Sequence, residues 1–115
     1  MQARYSHYAL LADAVLEIER EMRRLALWTP EGSENVPSVQ QLSSTEPFCI
    51  DTLHFPQWIQ FVLLEKIRVL IEADADLPAR SDIAPMAEEY FRPIPLSTDR
   101  LVEMIRELDR LITEA

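Results

Sequence analysis

Tyr8, Leu11, Val15, Ile18, Met22 and Leu25 recur at alternating steps of three and four residues. Only an α-helix, turning once every 3.6 residues, collects such positions onto one face. The spacing predicts a first helix over residues 6–27, with Ala12 and Ala26 beside the seam. Asp13, Glu17, Glu19, Arg20, Glu21, Arg23 and Arg24 fill the remaining surface. Glu19 and Arg23 stand four apart, a favourable pair, and the three arginines lie where cations suit the helix dipole. Pro30 restricts Thr29 and is expected to end the helix.

The same reading repeats along the chain. Trp58, Ile59, Phe61, Val62, Leu63 and Leu64 surround the first half of a second helix over residues 55–73, which opens near Pro56. A helix apolar on most sides is expected at the centre of the molecule. A short third helix is expected over residues 84–91, started by Pro85 and closed by Pro93 and Pro95. The last begins at Ser97 or Thr98, with Asp99 in its first turn, and carries Leu101, Met104, Ile105, Leu108, Leu111 and Ile112 on one stripe. No stretch alternates with period two. One glycine, Gly32, against eight prolines suits helices joined by stiff connections and leaves little for tight hairpins. The expected fold is all-α: one domain over residues 1–115, a small helical bundle of three long helices and one short helix, with a long loop between the first and second.

That loop, residues 29–55, is punctuated by Pro30, Gly32, Pro37 and Pro47. Ser38 and Gln41 have capping-box spacing, so one helical turn is expected there. Phe48 and Ile50 are apolar enough to anchor the second half on the core, while the first half is expected to be mobile. Asp51 and Thr52 are placed to satisfy the free amides that open the second helix.

Charge narrows the partners. Twenty acidic and 11 basic side chains leave −9, and ten of the basic residues are arginine, with Lys66 the sole lysine. That sign disfavours direct nucleic-acid binding and anionic membranes. Trp58–Leu64, the most apolar run, is far shorter than a membrane span needs, and Asp13, Glu17 and Glu19 interrupt the N-terminal apolar run too soon for a signal peptide. A single cysteine, Cys49, suits a reducing compartment, so a cytoplasmic protein is expected.

Chemistry-bearing residues are few. Cys49, Asp51 and His54 offer a thiol, a carboxylate and an imidazole within six residues, but His7 is the only further nitrogen donor for a metal. Glu72, Asp74 and Asp76 form an acidic tip without the glycine and spacing of a calcium hand. Glycine-rich phosphate loops are impossible with one glycine. No catalytic residue, cofactor or metal is therefore expected, and the chain reads as a non-enzymatic protein-binding or accessory module. A groove edged by Phe48, Phe55, Trp58 and Phe61 is the expected docking surface for a protein partner. Arg20, Arg23 and Arg24 as an anion patch and a ligand or metal pocket in the bundle are the rival readings. The first seam also permits a homodimer as well as a monomer.

Ser44-Thr45-Glu46-Pro47-Phe48-Cys49-Ile50-Asp51-Thr52, followed by Trp58-Ile59-Gln60-Phe61-Val62-Leu63, resembles the bacterial YqcC-like family. Leu77-Pro78 and Ala84-Pro85 match two further dipeptides of that pattern. The resemblance implies a small helical bundle, encoded in many genomes beside a tRNA pseudouridine synthase whose name the family sometimes borrows. It implies no catalytic residues. Such a synthase is expected to use a longer mixed α/β domain with an Asp in an Arg-Leu-Asp type motif. Asp99-Arg100-Leu101 and Asp109-Arg110-Leu111 reverse that order. Cys49 and His54 fall where the family pattern is open. The partner implied is an unknown protein, with such a synthase as the named possibility. The rival reading is an accessory factor to tRNA pseudouridine modification that touches tRNA through Arg20, Arg23 and Arg24.

Overall fold

A computed structural model describes residues 2–114. Helix α1 spans Gln2–Arg24, α2 is the single turn Val39–Leu42, and a 3-10 turn follows at Pro47–Cys49. Helix α3, Phe55–Trp58, runs through a π turn at Ile59–Leu63 into α4, Leu64–Glu72, as one continuous rod. Helices α5, Ala84–Phe91, and α6, Asp99–Thr113, complete the chain. No strand occurs among the described residues. Counting the α3–α4 rod once, the long helices and the short α5 are those expected from the seams. None of the helices is long and apolar enough to cross a membrane.

Helices α1 and α6 form the main packing pair, and α5 lies on α6 while α4 lies on α1. The pair is antiparallel: the His7 ring nitrogen meets the carbonyl of Leu111, and Arg100 at the start of α6 acts on Glu21 near the end of α1. Leu11, Ile18 and Met22 from α1, Ile59 and Leu64 from the rod, and Leu101, Ile105 and Leu108 from α6 are fully buried in one cluster. The predicted seams are thus the core faces.

Helix α1 ends three residues sooner than expected, and Pro30 is not the cause. Ala26 takes a left-handed φ of 61°. The Leu27 amide donates to Met22 O at 2.8 Å and the Ala26 amide to Arg23 O at 3.1 Å. That is the two-bond Schellman closure, built on an alanine where glycine is usual. The rod ends the same way, with Asp74 at φ 49°, Ala75 N donating to Leu70 O and Asp74 N to Ile71 O.

The π turn lengthens the rod by one residue per turn, and the Leu64 amide reaches back to Ile59 O. Within it Gln60 is buried. Its amide holds the Thr29 backbone at both ends, accepting from Thr29 N at 2.8 Å and donating to Thr29 O at 2.9 Å. Gln57 donates to Asn35 O at 3.2 Å, and Pro37 is buried. The loop's first half is tied to the rod, where mobility was expected.

Candidate functional site

Capping of α2 is as read: Gln41 N donates to Ser38 Oγ at 3.1 Å, and Ser38 N donates to the Gln41 side chain at 2.9 Å. After it, Phe48 and Cys49 both take left-handed backbone, at φ 57° and 50°. Side chains hold this turn from both sides. Ser44 Oγ donates to Asp51 and accepts from Glu46 N, while Thr52 Oγ1 donates to Gln41 O at 2.7 Å. Asp51 and Thr52 therefore secure the loop, and the expectation that they cap the rod is corrected. His54 is the cap residue there, with its amide bonded to the Gln57 side chain at 2.9 Å. Ile50, expected as an anchor, is 62% exposed, because the double left-handed turn throws it outward while Phe48 and Cys49 turn in.

The four aromatic residues of the expected groove divide into two places. Phe48 meets Trp58 edge-on at 4.8 Å and Phe55 at 5.9 Å, and Phe55 stacks on Trp58 at 6.0 Å. Phe55 is 3% exposed and also touches Tyr90 and Phe91 of α5. These rings form a cluster that locks loop, rod and α5 together. Tyr90 and Phe91 belong to it as well, which their place on a short helix far along the chain concealed. Phe61 lies elsewhere, on a shallow trough of about 390 Å³ with Leu42, Val62, Val69 and Leu70. Val69 is 57% exposed and Val39, one turn along α2 from Leu42, is 83% exposed. This apolar surface between α2 and α4 is the part of the expected site that stays open.

Cys49 is buried, Asp51 is bonded to Ser44, and His54 is exposed. Among the described residues no three His, Cys, Asp or Glu side chains converge as a metal set. The arginines of the rival anion patch each carry a carboxylate: Arg20 pairs with Glu17 at 2.7 Å, Arg23 with Glu19 at 3.0 Å and Arg24 with Glu21 at 2.6 Å. Arg23 also lies over the Trp28 ring, 5.2 Å from its centre. Glu21 is buried on the helix, yet the hydrogen bonds from Arg24 hold its carboxyl below the ordinary value, against the opposing effect of burial. On α6 the hydrogen bonds from Arg110 hold Glu107 below its ordinary value in the same way.

Asp109 is buried and spent. It accepts from Ser81 Oγ at 2.6 Å, from Ile83 N at 2.8 Å and from Ala84 N at 2.8 Å. A carboxylate from α6 thus caps the start of α5, a role that its reversed Asp-Arg-Leu setting did not suggest.

A family model described as tRNA pseudouridine synthase C matches residues 10–111. The chain is 32% identical over 76 residues to an uncharacterized protein of Haemophilus influenzae, covering 66% of this chain and 68% of that one. To the uncharacterized protein YqcC of Escherichia coli it is 31% identical over 77 residues, 65% of this chain and 66% of that one. A third relative, from Pectobacterium carotovorum subsp. carotovorum, is described as tRNA pseudouridine synthase C. There the identity is 31% over 65 residues, which make up 56% of this chain but only 16% of that protein. The solution NMR structure of YqcC from E. coli shares the fold, with a TM-score of 0.79 at 23% identity over 94% of this chain and 89% of that one. The chain belongs to the YqcC-like family, whose model carries the description tRNA pseudouridine synthase C.

Proposed function

We propose that the chain is a cytoplasmic, non-enzymatic module that works by contact with another protein, and that the partner is a tRNA pseudouridine synthase. The observation that carries the partner is the Pectobacterium relative. The part of it that resembles this chain is 16% of its length, and that protein is described as tRNA pseudouridine synthase C. On this reading the module is joined to a larger chain in that relative and binds the same kind of chain here, where the two are separate. The covalent link supplies in one protein what binding supplies in the other. The family description then names the company the module keeps rather than its chemistry.

The non-enzymatic reading has support in the geometry. Asp109, one of two aspartates beside an Arg-Leu pair, has its carboxylate committed to two backbone amides and a hydroxyl. Cys49 is packed inward and Asp51 serves the loop. Arg20, Arg23 and Arg24 are neutralised in pairs, which disfavours direct contact with RNA. The test is to mix purified chain with the pseudouridine synthase of the same organism and follow sedimentation and tRNA modification. A stoichiometric complex is expected, with no modification by this chain alone. Absence of a complex at about 100 μM, a concentration that reveals even weak protein pairs, would remove the partner. Pseudouridine formed by this chain alone would overturn the module.

A further inference from the structure

We infer that the cleft where the end of α1, both halves of the long loop and the start of the rod meet binds a small aliphatic polyamine. The cleft has a volume of about 760 Å³, which lies in the range of small-molecule sites. Its walls are held by bonds already described. Gln60 clamps Thr29 on one side, Gln57 holds Asn35 O on another, and the Thr52 hydroxyl donates to Gln41 O. All five of those wall residues other than Gln60 border the cleft, so its shape exists before any ligand arrives.

The charge of this lining has one sign. Glu34 and Asp51 border the cleft from the two halves of the loop, and no Lys or Arg borders it. Arg23 and Arg24, the basic residues nearest in sequence, lie outside the lining and are paired with Glu19 and Glu21. Among the described residues Glu34 accepts no hydrogen bond, and Asp51 commits one oxygen to Ser44 and leaves the other unbonded. Ala26 and Leu27 bring the C-terminal end of α1 to the same cleft, and that is the negative end of a 23-residue helix. His54 and Tyr90 are the other titratable groups there. Beside the carboxylates stand two apolar side chains left in solvent, Val36 at 40% exposure and Ile50 at 62%. Val36 follows Glu34 by two residues, and Ile50 immediately precedes Asp51. An ammonium group has three donors and no acceptor, which suits free carboxylate oxygens. A linear polyamine alternates such groups with methylene runs, and so matches two separated carboxylates with apolar surface beside each. A metal ion fits less well, since no three ligating side chains converge among the described residues.

The probe is spermidine, titrated into the protein at physiological salt and followed by amide chemical shifts. The expected result is saturable binding with a Kd below about 1 mM and shifts centred on residues 34–36 and 50–54. The E34Q/D51N variant keeps an acceptor for the Ser44 hydroxyl and should bind at least about tenfold more weakly. D13N/E72Q removes the same charge from two exposed carboxylates outside the cleft, and should change the affinity by less than about twofold. If E34Q/D51N loses its native spectrum, E34Q alone carries the comparison, because Glu34 is exposed and bonds to nothing among the described residues. Shifts that never saturate, equal losses from the two double variants, or no loss from the cleft variant would overturn the site. A capped lysine peptide that shifts the same residues and binds as tightly as spermidine would assign the cleft to a protein side chain and overturn the polyamine. The synthase complex tested above does not enter this readout, so its failure and the failure of the cleft are separate results.

Discussion

Asp109 serves as an N-cap from outside the helix it caps. The free amides of Ile83 and Ala84 at the start of α5 have no side chain of their own to meet, since the cap residue there is Ile83 and makes no side-chain bond. The carboxylate arrives from α6, about 25 residues later in the chain. Replacing Asp109 with Ala leaves two buried donors and the Ser81 hydroxyl without their acceptor, and should cost about 2–3 kcal/mol in urea unfolding. Asn should recover part of that loss, because its carbonyl still accepts one bond. A variant with an unchanged midpoint would remove Asp109 from this role. Glu21 makes a different prediction, one that depends on pH. Its folded value lies below the ordinary 4.5 because Arg24 hydrogen-bonds the charged form. The stability it adds is therefore complete above the ordinary value and is lost as pH falls through 4.5 toward the folded value. Glu21→Gln should unfold more easily than the parent at pH 7 by about 1–2 kcal/mol, and the gap should narrow as pH falls below 4.5 and close once it is below the folded value. A gap that stays constant with pH would mean that packing of the side chain, and not its charge, is what counts.

At the scale of elements, what was legible in the sequence is what is local. The seam of α1, the bounds of α5 and the capping box of α2 each depend on residues within a turn or two, and all were readable. The Asp109 cap and the Gln60 clamp on Thr29 depend on partners brought near only by folding. The π turn was hidden for a related reason: its hydrophobic pattern is that of an α-helix, and the extra residue shows only in which side chain turns inward. The expected aromatic groove failed as a unit because spacing on a helix does not tell a ring that closes a core from one that borders solvent. Phe55 closes the core, and Phe61 borders the trough. The end of α1 was misplaced because alanine is a poor signal for a left-handed cap. That poor fit can be tested directly. Ala26 is exposed at φ 61°, where a Cβ is disfavoured and glycine is not. Ala26→Gly should raise stability by about 0.5–1 kcal/mol, the relief at the cap outweighing the added freedom of the unfolded chain. A lowered thermal midpoint would show that the unfolded-state term wins.

The whole molecule has one core, to which every long element contributes. Fully buried side chains of α1, the rod and α6 join Ala87 and Phe91 of α5 in a single cluster. Trp28, just after α1, and Trp58, at the end of α3, are both half-buried against it from the long connection and its anchor. Among the described residues no element has a second apolar cluster of its own to fold on, so loss of one should carry the rest. Unfolding in urea should therefore give the same midpoint by helix circular dichroism and by tryptophan fluorescence, even though the fluorescence reports the loop side and the dichroism the helices. Ile105→Ala makes the expectation sharper. Ile105 is fully buried on α6, the helix that packs on both α1 and α5. Removing its side-chain carbons should cost about 3–4 kcal/mol, a large share of what holds a domain of this size. Both signals should move together by that amount, because the tryptophans sense the same core from a distance. If fluorescence held its midpoint while the dichroism fell, the loop and rod would be a separate unit. The open trough between α2 and α4 would then belong to a part of the chain that folds without α6.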